Sequence, residues 1–259
     1  MKIKVLIGLI TTSFILFSCT GIKDKNNDNK IKNDLTEFKL IGKVKTITES
    51  TFNVVDKFGV IQKGNIQSKN SLFFNDKGNE IEWNFYNSDG SLNNKFTSKY
   101  DDKGNKIEQN FYNSDSLNEK WIYKYDDKWN EIEKNIYNSD GSLKYKQTYK
   151  YDSKGNKIEK NIYNSDGSLY TKVIFKYDDK GNEIEANIYN SNGSLDLKYI
   201  SKYDNKENEI EENIYKPDGS LDNKYTCNYD FDASGNWIKE TPFKNDIPQN
   251  IIEREIEYY

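Results

Sequence analysis

A near-identical segment, Tyr-Asn-Ser-Asp-Gly-Ser-Leu, recurs six times between Phe85 and Leu221, and each copy is answered by Tyr-Asp-Asp-Lys-Gly-Asn or a close variant. Aligning the glycine of the second motif picks out Gly78, Gly104, Trp129, Gly155, Gly181, Glu207 and Gly235, at steps of 26, 25, 26, 26, 26 and 28 residues. A fixed period of this size marks a repeat architecture, in which each unit buries its apolar face only against its neighbours. It also points toward a scaffold or a binding surface and away from a single catalytic pocket.

One repeat, Asn156 to Tyr177, shows how the unit folds. Ile158 and Ile162 alternate with Glu159, Asn161 and Tyr163, and Leu169, Val173, Phe175 and Tyr177 share a side against Lys172 and Lys176. Period-two alternation rich in β-branched and aromatic residues predicts strands. Asn164-Ser-Asp-Gly167 and Asp178-Asp-Lys-Gly181 are the turns, opened by an Asn or Asp that bonds its own backbone and completed by a glycine. Each repeat is then one hairpin. A four-residue loop sets Ile162 opposite Leu169 and Glu159 opposite Lys172. The same rule pairs Glu82 with Lys95, Glu133 with Lys146, Glu185 with Lys198 and Glu211 with Lys224, and the repeat that lacks its glycine pairs Glu108 with Lys120 through a loop one residue shorter.

The fold expected is all-β: an antiparallel meander of about 14–17 strands over residues 37–259, with caps at about 37–72 and 237–259. One face carries Ile, Leu, Phe, Trp and Tyr columns; the other carries Glu, Lys, Asn and a Tyr column. A flat single layer leaves its apolar face wet, so twist and steady stagger should coil the sheet into a spiral or barrel. Lys43–Phe52 reads as a cap strand and Ile252–Tyr258 as a charged edge strand that discourages edge-to-edge pairing.

The N-terminus is of another kind. Met1-Lys-Ile-Lys is basic, Val5 to Phe17 is apolar, and the run ends in Leu16-Phe17-Ser18-Cys19. This resembles a bacterial lipoprotein signal. The resemblance implies cleavage after Ser18, lipid on Cys19, and a membrane partner through that lipid. Thr20 following the cysteine favours the outer membrane. Residues 19–36, rich in Lys, Asn and Asp, read as a disordered tether.

Composition narrows the chemistry. Losing Lys2 and Lys4 with the signal moves the formal charge from −4 to −6, which argues against nucleic acid as a partner. There is no histidine, the commonest neutral-pH base and metal ligand. With Cys19 lipidated, Cys227 has no partner within the chain. It aligns with Tyr149 and Phe175 on the apolar face, as a buried filler. Turn carboxylates such as Asp166 and Asp178 offer oxygen ligands for calcium, but turn chemistry accounts for them and no EF-hand spacing is present. No cofactor, metal site or catalytic residue is expected.

Tyr100-Asp-Asp-Lys-Gly-Asn105 and Tyr151-Asp-Ser-Lys-Gly-Asn156 resemble the YD repeats of RHS-like proteins, over about Phe74 to Asn236. The resemblance implies a long spiralling β-sheet and an association with cell surfaces and carbohydrate. The repeat here is a few residues longer, and the toxin-housing role of large members is not carried over. The candidate ligand-binding residues are the Tyr column of the polar face: Tyr86, Tyr112, Tyr137, Tyr163, Tyr189 and Tyr215. Aromatic ladders stack on sugars or anchor a protein partner. The functional expectation is a non-catalytic, lipid-anchored binding module of the cell envelope. The alternatives are a purely structural envelope protein and a glycan-acting hydrolase.

Overall fold

The computed structural model describes residues 33–259. The signal peptide, Cys19 and most of the tether expected from the sequence lie outside them. Within them the chain forms one four-residue helix, α1 (Asp34–Glu37), and seventeen strands. Two long strands, β1 (Val44–Lys57) and β2 (Val60–Phe74), precede the repeats. The repeats supply β3 (Glu80–Tyr86), β4 (Leu92–Tyr100), β5 (Lys106–Asn113), β6 (Ser116–Tyr125), β7 (Glu131–Asn138) and β8 (Leu143–Tyr151). They continue with β9 (Lys157–Asn164), β10 (Leu169–Tyr177), β11 (Glu183–Asn190), β12 (Leu195–Tyr203), β13 (Glu209–Tyr215) and β14 (Leu221–Phe231). The chain ends in β15 (Trp237–Lys244), the two-residue β16 (Ile247–Pro248) and β17 (Asn250–Tyr258).

Every strand from β1 to β15 pairs antiparallel with its successor, and β17 pairs with both β15 and β1. The meander therefore closes into a barrel of sixteen strands, with β16 an appended hairpin on β15. This corrects the reading of Ile252–Tyr258 as a charged edge. Val44↔Tyr258 through Asn53↔Asn250 pair in the closing seam, and no free edge remains there to protect. Sixteen strands enclose a lumen too wide for wall side chains alone to fill.

The register also departs from the expectation. Tyr163, not Ile162, sits opposite Leu169; Tyr170 then bulges, and Thr171 faces Ile162. Glu159 faces Ile174 rather than Lys172. The loop is a five-residue turn in which Asn164 N–H donates to Ser168 O, and Asp166 Oδ1 accepts from the Ser168 N–H and hydroxyl. Glu159 still bonds Lys172 at 3.0 Å, on the diagonal, and Lys150 of the other neighbour at 2.8 Å. Five of the six expected Glu–Lys pairs form; Glu82 instead accepts from Asn84. Long lysine stems reach diagonal neighbours, so ion pairing could not discriminate the two registers.

A second bulge opens each odd-numbered repeat strand. Lys150 pairs with Glu159 and Tyr151 with Lys157, leaving Ile158 unpaired. The bulge takes Ile158, 37% exposed, off the buried face it was expected to share with Ile162, and aims Lys157 inward instead.

The signature tyrosine ties these bulges down. The hydroxyls of Tyr125, Tyr151, Tyr177 and Tyr203 donate to the carbonyls of Lys106, Glu131, Lys157 and Glu183 at 2.7–2.8 Å, and Tyr100 and Tyr229 repeat the bond to Glu80 and Glu209. Each bond spans a full hairpin and fills a carbonyl at the end of a strand. Tyr151→Phe should cost about 1 kcal/mol, and the Tyr125, Tyr151 and Tyr177 triple about three times as much. Urea unfolding checks this; a triple variant with an unchanged midpoint would remove the ladder from the account of stability.

The tether reading needs shortening at its end. Asn33 caps α1, accepting from Thr36 N–H, and its amide donates to Lys77 O. Leu35 N–H donates to Gly78 O, Lys39 Nζ to Glu207 O, and Ile41 exchanges bonds with Asn236. Gly78, Glu207 and Asn236 all lie in turns of the Tyr-Asp type, which gather at one end of the barrel. Residues 33–42 therefore run across that mouth as a plug. Leu35 joins Val44, Ile47, Leu72, Phe74 and Trp83 in the largest apolar cluster. Gly78 is held to glycine twice over. Its φ is +81°, and an added Cβ would collide with Asn33 and Leu35.

Candidate functional site

The two faces of the wall have opposite chemistry. Outward positions repeat almost without change. On β9 they are Glu159, Asn161 and Tyr163, and Glu159 is held by Lys150, Lys172 and the Asn161 amide. Burial alone would push the Glu159 carboxyl up, but these donors outweigh it and hold it at about 2. Glu108, Glu133, Glu185 and Glu211 repeat the arrangement. A transmembrane barrel needs an outward apolar band flanked by aromatic girdles. This wall is instead a lattice of ion pairs and amides.

The six expected ligand-binding tyrosines all lie on this outer wall. Tyr86, Tyr112, Tyr137, Tyr163, Tyr189 and Tyr215 occupy one position on β3, β5, β7, β9, β11 and β13, each half-buried. Each is set directly opposite a lysine of the preceding strand, as Tyr163 is to Lys146 and Tyr189 to Lys172. Lys95 lies over the Tyr112 ring, 5.3 Å from its centroid. Successive rungs are two strands apart and offset by two residues along the strand, so they lie about 11–12 Å from each other.

The turn carboxylates are fully occupied by their own loops. Asp178 accepts from the Lys180 and Asn182 N–H groups on one oxygen and from the Asn182 amide on the other. Cys227 is buried as expected, its thiol donating to Glu240 at 3.3 Å, and burial pushes that thiol far up.

The lumen was not anticipated. Three inward layers follow from the bulged strands. Next to the plugged mouth lie Glu80, Lys106, Glu131, Lys157, Glu183, Glu209 and Trp237, the first residue of each odd-numbered strand from β3 to β15. Three residues on lie Trp83, Gln109, Lys134, Lys160, Ala186, Glu212 and Glu240. Toward the other mouth lie Phe85, Phe111, Ile136, Ile162, Ile188 and Ile214. The outward residues are near-constant from repeat to repeat, while the first two inward layers vary in size and charge along the array. That contrast was available in the sequence, and it marks where this chain differentiates its copies.

Some lumen charges are fully matched. Lys106 bonds Glu80 at 3.1 Å and lies 3.6 Å from Asp34 of the plug. Arg254 bonds Glu49 through two nitrogens at 2.6 and 2.7 Å and stacks on Trp237. Others are not. Lys134 lies against the Trp121 and Tyr123 rings, Lys157 lies 4.1 Å over the Tyr149 ring, and among the described residues Lys160 has neither ion pair nor hydrogen bond. Burial, with Lys134 and Lys157 nearby, brings the Lys160 ammonium down to about 7. On the next wall Glu183 and Glu212 are pushed up by burial to about 7, and Glu209 is raised for the same reason.

No protein-family model matches the chain, and no curated protein matches it. Among solved structures, a porin-like protein from Bacteroides uniformis is similar over 83% of this chain and 96% of its own, with 12% identity and a TM-score of 0.53. A second porin-like protein, from Bacteroides vulgatus, covers 83% of this chain and 98% of its own at 13% identity and a TM-score of 0.44. TcdB2-TccC3 matches 90% of this chain and 16% of its own, at 14% identity and a TM-score of 0.33. At these identities the first likeness speaks to fold alone: this chain shares the closed antiparallel barrel.

Proposed function

We propose that the chain is a non-catalytic binding barrel of the bacterial envelope, tethered by lipid on Cys19, standing in water, and engaging glycan with its outer wall. The reading is carried by the outer tyrosine ladder. Six rings at one height, two strands apart, form a periodic aromatic track on an otherwise ionic surface. A periodic track suits a periodic polymer, and its rung spacing is of the order of a disaccharide repeat. The ionic outer wall supports a barrel that stands clear of the bilayer, and the YD-like signature agrees with a cell-surface role.

Binding of the full chain to a panel of immobilised polysaccharides tests this. Load shared over six rungs predicts that Tyr163→Ser alone weakens binding by less than about threefold, and Tyr137, Tyr163 and Tyr189 changed together by roughly a hundredfold. Circular dichroism would confirm that the fold is kept. Loss of binding from one substitution would replace the ladder with a local site. No glycan retained by the wild type would favour the purely structural envelope protein.

A further inference from the structure

We propose that the barrel lumen is a binding chamber for a short zwitterionic peptide, its carboxylate taken by Lys134, Lys157 and Lys160 on β7 and β9 and its amine by Glu183, Glu209 and Glu212 on β11 and β13. The site is separate from the outer tyrosine ladder and does not depend on it.

The first observation is that the lumen pairs charges where it can. Lys106 reaches across one intervening strand to Glu80. Lys157 has Glu131 two strands away on one side and Glu183 two strands away on the other, and forms an ion pair with neither. Lys160 is unpaired as well, and so are Glu183 and Glu212 among the described residues. Enclosed charges without partners are costly, and a fold that matches Glu49 with Arg254 has the means to avoid them. Three lysines outnumber the one unpaired carboxylate among them, Glu131, on the first wall, and the next wall carries carboxylates alone, so the two walls together are complementary to something that carries both signs.

The second observation is an orphaned atom. Glu209 is 8% exposed, and its Oε1 has no hydrogen-bond partner. It borders a cavity of about 60 Å³ beneath the plug, together with Glu207, whose Oε2 is also unpartnered, and with Lys39 and Trp237. The acidic end of the chamber thus has both room and an unused acceptor.

Shape agrees with this assignment. The plug closes one mouth, and the charged layers form a floor beside it. At the other mouth Gly141, Gly167 and Gly193 complete the Asn-type turns, and an added Cβ on any of them would touch nothing. Entry would pass the collar of Ile136, Ile162 and Ile188 before reaching the charges. β9 and β13 are four strands apart, about 19 Å along the wall. Inward-reaching side chains shorten this to a gap on the order of 10 Å, the length of an extended tripeptide. Between Lys160 and Glu212 the wall is apolar, with Ala186 buried among Val173, Ile188, Phe175 and Tyr199, and the peptide backbone would cross that stretch.

Calorimetric titration of the full chain with triglycine, N-acetyl-triglycine and triglycine amide tests the proposal. Free triglycine should bind at least tenfold more tightly than either blocked form. Lys134→Gln with Lys160→Gln should weaken free triglycine tenfold or more while leaving the amide unchanged; Glu209→Gln with Glu212→Gln should do the reverse, sparing the acetylated form. Both double variants should melt higher than the wild type, because each removes unpaired enclosed charge. No binding of triglycine, equal binding of a blocked form, or a lower melting temperature in the lysine variant would each overturn the assignment.

Discussion

Arg254→Met is expected to cost about 3–5 kcal/mol of stability, the range for breaking one side of a buried ion pair. Arg254 lies on β17 opposite Glu49 of β1, in the seam that closes the barrel. Its Nε and one terminal nitrogen both donate to Glu49 Oε1, and its guanidinium lies 3.2 Å from the Trp237 ring centroid. Glu49 is 4% exposed and also accepts from Asn70, which in turn takes the Trp83 indole N–H at 3.4 Å. Methionine fills the space but leaves Glu49 charged and facing only neutral donors. The seam is where this matters most, since β17 meets β15 through just two residue pairs and relies on β1 for the rest. Adding Glu49→Gln should recover more than half of the loss, because the uncompensated charge is then gone. Urea unfolding followed by tryptophan fluorescence reads both. A single-variant loss below about 1 kcal/mol would mean that backbone pairing alone closes the barrel.

The strands and turns were legible because the repeat states each of them several times. Alternation on both arms of a hairpin fixes which residues share a face, and Asn-x-Asp-Gly and Asp-x-x-Gly place the turns. The register was not legible. Tyr163 and Ile162 are both acceptable opposite Leu169, and the bulge at Tyr170 restores the same facing afterwards. The bulge at Ile158 hid more. It inverts the inward parity of Lys157, so a residue whose spacing says "outward" lines the lumen. Closure was hidden for a different reason. It joins strands about two hundred residues apart, and charged β17 carries the composition of a protected edge while being a paired strand. The outer tyrosines were found by their regularity. The lumen charges were missed because they are irregular, and because Lys160 and Glu212 occupy inward positions where alternation leads one to expect apolar side chains.

The barrel should be least stable near pH 7, the reverse of the usual profile. Three lumen groups that titrate near 7 lead this, and burial shifts Glu80, Glu209, Glu240 and Lys134 in the same directions. Glu183 and Glu212 titrate at about 7 in the folded chain against 4.5 in the unfolded one, because burial disfavours their ionised form; Glu212 adds to the effect on Glu183, and Lys157 opposes it. Between about pH 4.5 and 7 the folded chain therefore holds protons that the unfolded chain has released, and stability falls as pH rises. Lys160 titrates at about 7 against 10.5 unfolded, through burial and through Lys134 and Lys157, with Glu131 opposing. Above pH 7 the unfolded chain is the one that holds the extra proton, so stability climbs toward pH 10.5. Each carboxyl contributes on the order of 3 kcal/mol at full effect, and Lys160 somewhat more. The outer ladder sets the acid limb. Glu108, Glu133, Glu159, Glu185 and Glu211, held at about 2, contribute stability that is complete above 4.5 and lost as pH falls toward 2. Thermal melts from pH 3 to 10 should then show a steep acid fall, a shoulder near pH 4.5, a minimum near 7 and a rise beyond it. Combining Lys160→Gln, Glu183→Gln and Glu212→Gln should flatten the minimum and leave the acid fall intact, since the outer ladder is untouched. A wild-type maximum at pH 7 would mean that the lumen charges are matched at neutrality, and would remove the electrostatic case for an occupant that completes them.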